Sequence, residues 1–217
     1  MKAFLPEAFS RKLQEPAVLV LDTRSAGEFV NGFIPGAVFI GISSPRFGEW
    51  AATLIDKSLT LLLVCTQGAE SEVCELLKKA GFPEPEGYLE GGFPSWIAAG
   101  KPMDMIIEVE ADELAMDIPF DENLLVLDVR NETEYADGHV KDALLMPLEG
   151  FNDMANIAML EENQTVYVHC KSGYRSVIAA SLLKREGMHN LRNVAGGWEA
   201  IVQESRIKTE KDPKALN

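Results

Sequence analysis

The chain contains one unit twice, and that duplication limits its possible folds more than any other feature. Asp22-Thr23-Arg24, followed by Glu28-Phe29 and Gly32, matches Asp128-Val129-Arg130, followed by Glu134-Tyr135 and Gly138, 106 positions later. Val64-Cys65-Thr66-Gln67-Gly68 aligns with His169-Cys170-Lys171-Ser172-Gly173, and Gly91-Gly92-Phe93 with Gly196-Gly197-Trp198, both at an offset of 105. Three separate segments agree on a period within one residue, 105 or 106, as expected when a whole structural unit has been copied. The 217 residues suit two domains of about 100 residues each.

Within each copy, strand and helix patterns alternate. In the first, Val18–Leu21 reads as a strand, and Ser25 with Glu28 forms a capping box that opens a helix. Val38–Ile40 and Leu61–Val64 read as further strands. Val73, Leu76 and Leu77 then mark a helix that Gly81 ends. The second copy repeats this with Leu124–Leu127, a helix capped by Asn131, Leu144–Met146, and a buried strand at Thr165–Val168. Ile178, Leu182 and Leu183 follow at helical spacing, with Lys184 and Arg185 in the last turn and Gly187 as a stop. Interleaved strands and helices predict an α/β fold with a parallel sheet covered on both faces. Gly100-Lys101-Pro102 is the natural break, giving expected domains at 1–103 and 104–217. The polar, aperiodic tail from Arg206 to Asn217 is expected to be loose.

A net charge of −14 argues against nucleic acid or anionic membrane as partners, since both reward a basic surface. Any anionic substrate must then be attracted locally. Three cysteines are too few, and odd in number, for a disulfide framework, so a reducing, cytoplasmic setting is expected. Glu7, Arg11, Lys12 and Glu15 leave no apolar signal-peptide core, and no stretch approaches the length of a membrane span. His139 and His189 lie in loop-like contexts, and Cys170 with His139, His169 and His189 has no zinc-ligand spacing, so no metal and no cofactor is expected.

Cys170 carries the chemistry. It stands between a strand and a helix, where loop and helix N–H groups converge into an anion cradle. A free thiol titrates near about 8.5, and such a position favours the nucleophilic thiolate. Lys171 and Arg175 can hold an anionic donor, Arg175 through a bidentate fork. Gly173 permits the turn, while Ser172, Tyr174 and Ser176 are expected to contribute mainly backbone N–H groups. His169 precedes the nucleophile on a strand and faces the opposite way, so it reads as a packed histidine rather than a base. In the first copy Glu70 stands where Arg175 stands and Thr66 replaces Lys171, so Cys65 is expected to be inert. Cys74 reads as helix packing. The two Asp-x-Arg pairs, present in both copies, read as architecture.

Asp-x-Arg-x-x-x-Glu-aromatic, a six-residue loop that begins with Cys, and Gly-Gly-aromatic together resemble the rhodanese homology domain, here in tandem over nearly the whole chain. The resemblance implies two mainly parallel five-stranded sheets flanked by helices, the first with a degenerate loop. It also implies a sulfurtransferase in which Cys170 accepts sulfane sulfur as a persulfide from thiosulfate or glutathione persulfide, then passes it to a thiol or cyanide. Phe47-Gly48-Glu49-Trp50, Gly87-Tyr88-Leu89-Glu90-Gly91-Gly92 and Cys170 to Ser176 are most similar to the C-terminal rhodanese pair of metallo-β-lactamase-fold persulfide dioxygenase fusions. That similarity suggests a dioxygenase partner. The chain could be freestanding or part of a longer protein.

Two alternatives stay open. One is a non-catalytic sulfur carrier or docking module for such a dioxygenase. The other is a cysteine phosphatase or arsenate reductase, which the Cys…Arg pairing invites. Spacing disfavours the latter, because the segment between Cys170 and Arg175 is one residue shorter than in tyrosine-phosphatase-type loops and makes a tighter cradle.

Overall fold

The computed structural model describes residues 1–161 and 163–212. Contacts divide the chain into two compact units, the first spanning Met1–Met105 and the second beginning at Ile106. Unit 1 runs β1 (Lys2–Phe4), α1 (Pro6–Lys12), β2 (Val18–Asp22), α2 (Ala26–Asn31), β3 (Val38–Phe39) and α3 (Phe47–Leu54). It closes with β4 (Thr60–Val64), α4 (Glu70–Lys79), β5 (Gly87–Leu89) and α5 (Gly92–Ala98). Unit 2 runs β6 (Ile107–Val109), α6 (Ala111–Asp117), β7 (Leu124–Asp128), α7 (Glu132–Asp137), β8 (His139–Val140) and β9 (Leu144–Leu145). A 3₁₀ turn (Leu148–Asn152) and α8 (Met154–Ile157) lead to β10 (Thr165–His169), α9 (Tyr174–Arg185), β11 (Leu191–Val194), α10 (Gly197–Ile201) and β12 (Thr209–Glu210).

Each unit holds a five-stranded sheet, ordered β1-β5-β4-β2-β3 in unit 1 and β6-β11-β10-β7-β9 in unit 2. Every pairing within them is parallel. The central strands are continuous runs of branched apolar residues rather than alternating ones, as strands covered on both faces require. Leu19 to Leu21, Leu61 to Val64, and Val166 to Val168 are accordingly all buried. Register aligns the chemistry-bearing ends: Asp22 sits opposite Val64, and His169 opposite Asp128.

The capping boxes form as the sequence predicts. Ser25 and Glu28 close the start of α2, and Asn131 and Glu134 the start of α7. At the strand ends, Arg24 grips Asp22 through Nε at 2.9 Å and donates to the Gly32 carbonyl at 2.8 Å. Arg130 repeats this with Asp128 at 2.9 Å and the Gly138 carbonyl at 2.7 Å. Each guanidinium also covers an aromatic ring of the Gly-Gly-aromatic motif, Phe93 at 4.3 Å and Trp198 at 4.5 Å. These buried pairs tie the turn after a strand to the start of a distant helix, so their role is architectural.

Two expectations are corrected. The tail is not loose up to residue 212. Ile207 is buried in the unit 2 core, and β12 pairs antiparallel with β8, with Lys141 N–H donating to the Lys208 carbonyl at 2.9 Å. Residues 213–217 of that tail lie outside the described residues. His139 is likewise not in a loop: it lies on β8, buried and stacked on the Tyr135 ring at 3.7 Å, with Nδ1 2.9 Å from the Tyr135 carbonyl. Among the described residues, no helix is long and apolar enough to cross a membrane.

Candidate active site

Cys170 follows the central strand β10, at the carboxyl end of the sheet where open parallel sheets place their ligand crevices. The chain then turns through Lys171, Ser172 and Gly173 into α9. Gly173 has φ +100°, a left-handed conformation that costs other residues strain. That turn aims its amide back at the sulfur, and Gly173 N–H donates to Cys170 Sγ at 3.2 Å. Ser176 is buried and braces the turn by donating to the Gly173 carbonyl at 2.9 Å.

The Gly-Gly-Trp segment supports the loop from the other side. Trp198 N–H donates to the Cys170 carbonyl at 2.7 Å, and Glu199 N–H donates to the Lys171 carbonyl at 3.1 Å. This approach is possible because position 197 is glycine. A Cβ there would lie 2.4 Å from the Cys170 carbonyl oxygen, on a backbone with φ +56°. Gly197 is thus a loop-positioning residue to which the repeat pattern assigned no role, and its signal was the conserved Gly-Gly pair at one fixed offset from each cysteine.

Cys170 is only 1% exposed, more enclosed than a freely accessible nucleophile. Lys171 and Ser172 are exposed, Gly173, Tyr174 and Arg175 half-buried, and Ser176 buried. Arg175 departs from its expected use. Instead of an open fork for an anionic donor, both of its arms bond Glu134, Nη1 to Oε2 and Nη2 to Oε1, each at 2.7 Å. Hydrogen bonds from Arg175 hold the Glu134 carboxyl below the usual carboxylate range against a smaller opposing effect of burial. Glu134 in turn raises Arg175, its hydrogen bonds first and its charge next, with a lesser contribution from Cys170. Sequence reasoning missed this partner. The available signal was that an acid stands at positions 28 and 134 of both copies, whereas its opposite number is Glu70 in one and Arg175 in the other.

His169 is fully buried beneath the loop, with Nδ1 3.3 Å from the Cys170 carbonyl oxygen and Nε2 3.7 Å from Asp128 Oδ2. Burial pushes its imidazole below its ordinary value, outweighing the nearby Asp128 charge, so it is neutral at pH 7. It packs under the loop and faces the Cys170 carbonyl.

The unit 1 loop has the same outline and different wiring. Gly68 (φ +89°) and Gly92 (φ +61°) stand where Gly173 and Gly197 stand. Here, however, Gly68 N–H donates to Glu70 Oε1 at 3.1 Å. The Cys65 thiol is pushed up to about 12, by burial above all, with the Glu70 and Asp22 charges adding and a hydrogen bond from Thr23 opposing. All three cysteines are free and buried, Cys74 on α4 among them. Among the described residues, no three His, Cys, Asp or Glu side chains gather as metal ligands would.

Known proteins resemble this chain along the same lines. The candidate sulfur carrier protein YrkF of Bacillus subtilis (strain 168) is 35% identical over 92 residues, covering 42% of this chain and 49% of its own length. The chain thus spans about half of that relative. A sulfurtransferase of Allochromatium vinosum is 30% identical over 95 residues, covering 43% of this chain and 85% of its own. The thiosulfate sulfurtransferase of Pseudomonas aeruginosa is 24% identical over 247 aligned residues, covering 89% of this chain and 91% of its own. The profile of the rhodanese-like domain matches residues 5–99 and again 110–204. The chain therefore belongs to the rhodanese-like domain family and carries that domain twice in tandem.

Proposed function

We propose that the protein is a sulfurtransferase whose second domain carries sulfane sulfur as a Cys170 persulfide, while the first domain is non-catalytic. The observation that carries this reading is the Gly173 N–H directed at Cys170 Sγ at 3.2 Å, in a loop pinned by Gly197 and Ser176. Cys170 thiolate attacks the outer sulfur of the donor. A new S–S bond forms as the donor's own S–S bond breaks, and sulfite or a thiolate leaves. An acceptor thiol or cyanide then attacks the outer sulfur and restores Cys170. A thiolate nucleophile requires no general base, in keeping with a neutral, packed His169.

The tight loop favours one sulfur over a tetrahedral phosphate, which leaves the phosphatase and arsenate reductase readings without support. The carrier reading draws on the Bacillus subtilis relative. A persulfide dioxygenase is the partner class suggested by the resemblance of Phe47–Trp50 and Gly87–Gly92, and three unpaired thiols suit a reducing, cytoplasmic setting.

The test is a sulfur-transfer assay from thiosulfate or an alkyl persulfide to a thiol acceptor. Many acceptor molecules converted per protein molecule is the expected result. Sulfur retained on Cys170 without turnover would make the protein a carrier. No sulfur on Cys170 from any donor would overturn the reading.

A further inference from the structure

We propose that Glu134 selects the sulfur donor: by occupying the fork of Arg175, it turns unit 2 toward donors that leave as a thiolate and away from thiosulfate. This rests on Cys170 as the sulfur acceptor.

A planar guanidinium offers few bidentate edges, and the sulfonate end of thiosulfate would compete for the same geometry. In this protein the end-on edge of Arg175 is already filled. Both terminal nitrogens of Arg175 bond Glu134 at 2.7 Å, and the two side chains are only 19% and 26% exposed. Glu134 is also held from behind, since its Oε2 accepts the Asn131 N–H at 3.2 Å at the start of α7. The other loop cation, Lys171, is exposed and acts as a solvated point charge rather than a fork. A net charge of −14 gives a dianion no help at long range.

The charge balance separates the two donors. With thiosulfate, Cys170–S⁻ attacks the outer sulfur, Cys170–S–S⁻ forms and sulfite leaves as a dianion. With an alkyl persulfide RSSH, the same attack gives Cys170–S–SH and RS⁻, which takes a proton from water. The first step gathers three negative charges beside a guanidinium that Glu134 has already neutralised. The second gathers at least one fewer.

The test compares kcat/KM for thiosulfate and glutathione persulfide, with one thiol acceptor, in wild type and Glu134→Gln. Gln at this helix position keeps the capping box. Wild type should favour the persulfide, and the variant should raise the thiosulfate-to-persulfide ratio about tenfold, chiefly through a lower KM for thiosulfate. Equal or better use of thiosulfate by wild type, or a ratio that Glu134→Gln leaves unmoved or lowers, overturns the proposal. Should the variant fail to fold, the wild-type donor ratio alone decides. Failure of both donors to place sulfur on Cys170 would instead overturn the sulfur-acceptor reading itself.

Discussion

In unit 2 the Gly173 amide points at a cysteine sulfur 3.2 Å away, whereas in unit 1 the matching Gly68 amide points at the Glu70 carboxylate 3.1 Å away. Both loops follow a central parallel strand, both turn on a left-handed glycine, and both rest on a Gly-Gly-aromatic segment. Both cysteines are buried, at 4% and 1% exposure, so accessibility does not separate them. The hydrogen bonding differs where Glu70 and Arg175 stand. Arg175 folds away onto Glu134 and leaves the loop amide to the sulfur, while Glu70 takes the loop amide for itself. The fold repeats the loop outline, and the loop amide meets a different acceptor in each copy.

The largest expected contrast comes from replacing each loop cysteine in turn. Cys170→Ser should cut sulfur transfer by at least about a thousandfold, and Cys65→Ser by less than about twofold, in steady-state assays. Comparable losses from both would mean that the copies share the chemistry.

Next come the glycines under the loops. Gly197→Ala places a Cβ 2.4 Å from the Cys170 carbonyl, whereas the nearest contact at Gly92 is 3.2 Å, to the Cys65 carbonyl. Gly197→Ala should lower turnover about a hundredfold by shifting the loop, and cost more than about 1 kcal/mol in denaturant unfolding. Gly92→Ala should cost roughly 1 kcal/mol from its left-handed backbone and leave transfer by Cys170 in place.

The reactivity of Cys65 gives a smaller and sharper contrast. With its thiol at about 12, the thiolate fraction at pH 8 is about one in ten thousand and rises about tenfold per pH unit up to that value. Alkylation of Cys65 by iodoacetamide should follow that slope. A plateau below pH 10 would show a more acidic thiol. The smallest effect is that of Glu70→Gln. Because burial outranks the Glu70 charge in raising Cys65, this change should speed Cys65 alkylation by less than about tenfold.

Much of this architecture is legible in the chain because the repeat shows each feature twice. The central strands β2, β4, β7 and β10 announce themselves as apolar runs, and Ser25 and Asn131 mark helix starts through their acids three residues on. The edge strands β1 and β6 and the inner strands β5 and β11 beside them do not stand out by residue pattern, being only three or four residues long, with the two edge strands largely exposed. Strand β12 was hidden because Thr209 and Glu210 are exposed and polar, and only a partner some 70 residues away makes them a strand. The Glu134–Arg175 pair escaped for a similar reason: a single ion pair between two elements leaves no periodic trace. Register across the sheet, by contrast, brought Asp128 and His169 level in a way their places in the sequence do not declare.

Which cysteine takes the sulfur is open to direct measurement. Treat the protein with a persulfide donor, block free thiols, digest it, and locate the added sulfur by peptide mass spectrometry. One extra sulfur is expected on the Cys170 peptide and none on the Cys65 or Cys74 peptides. Equal loading of Cys65 and Cys170, or loading of Cys65 alone, would contradict it.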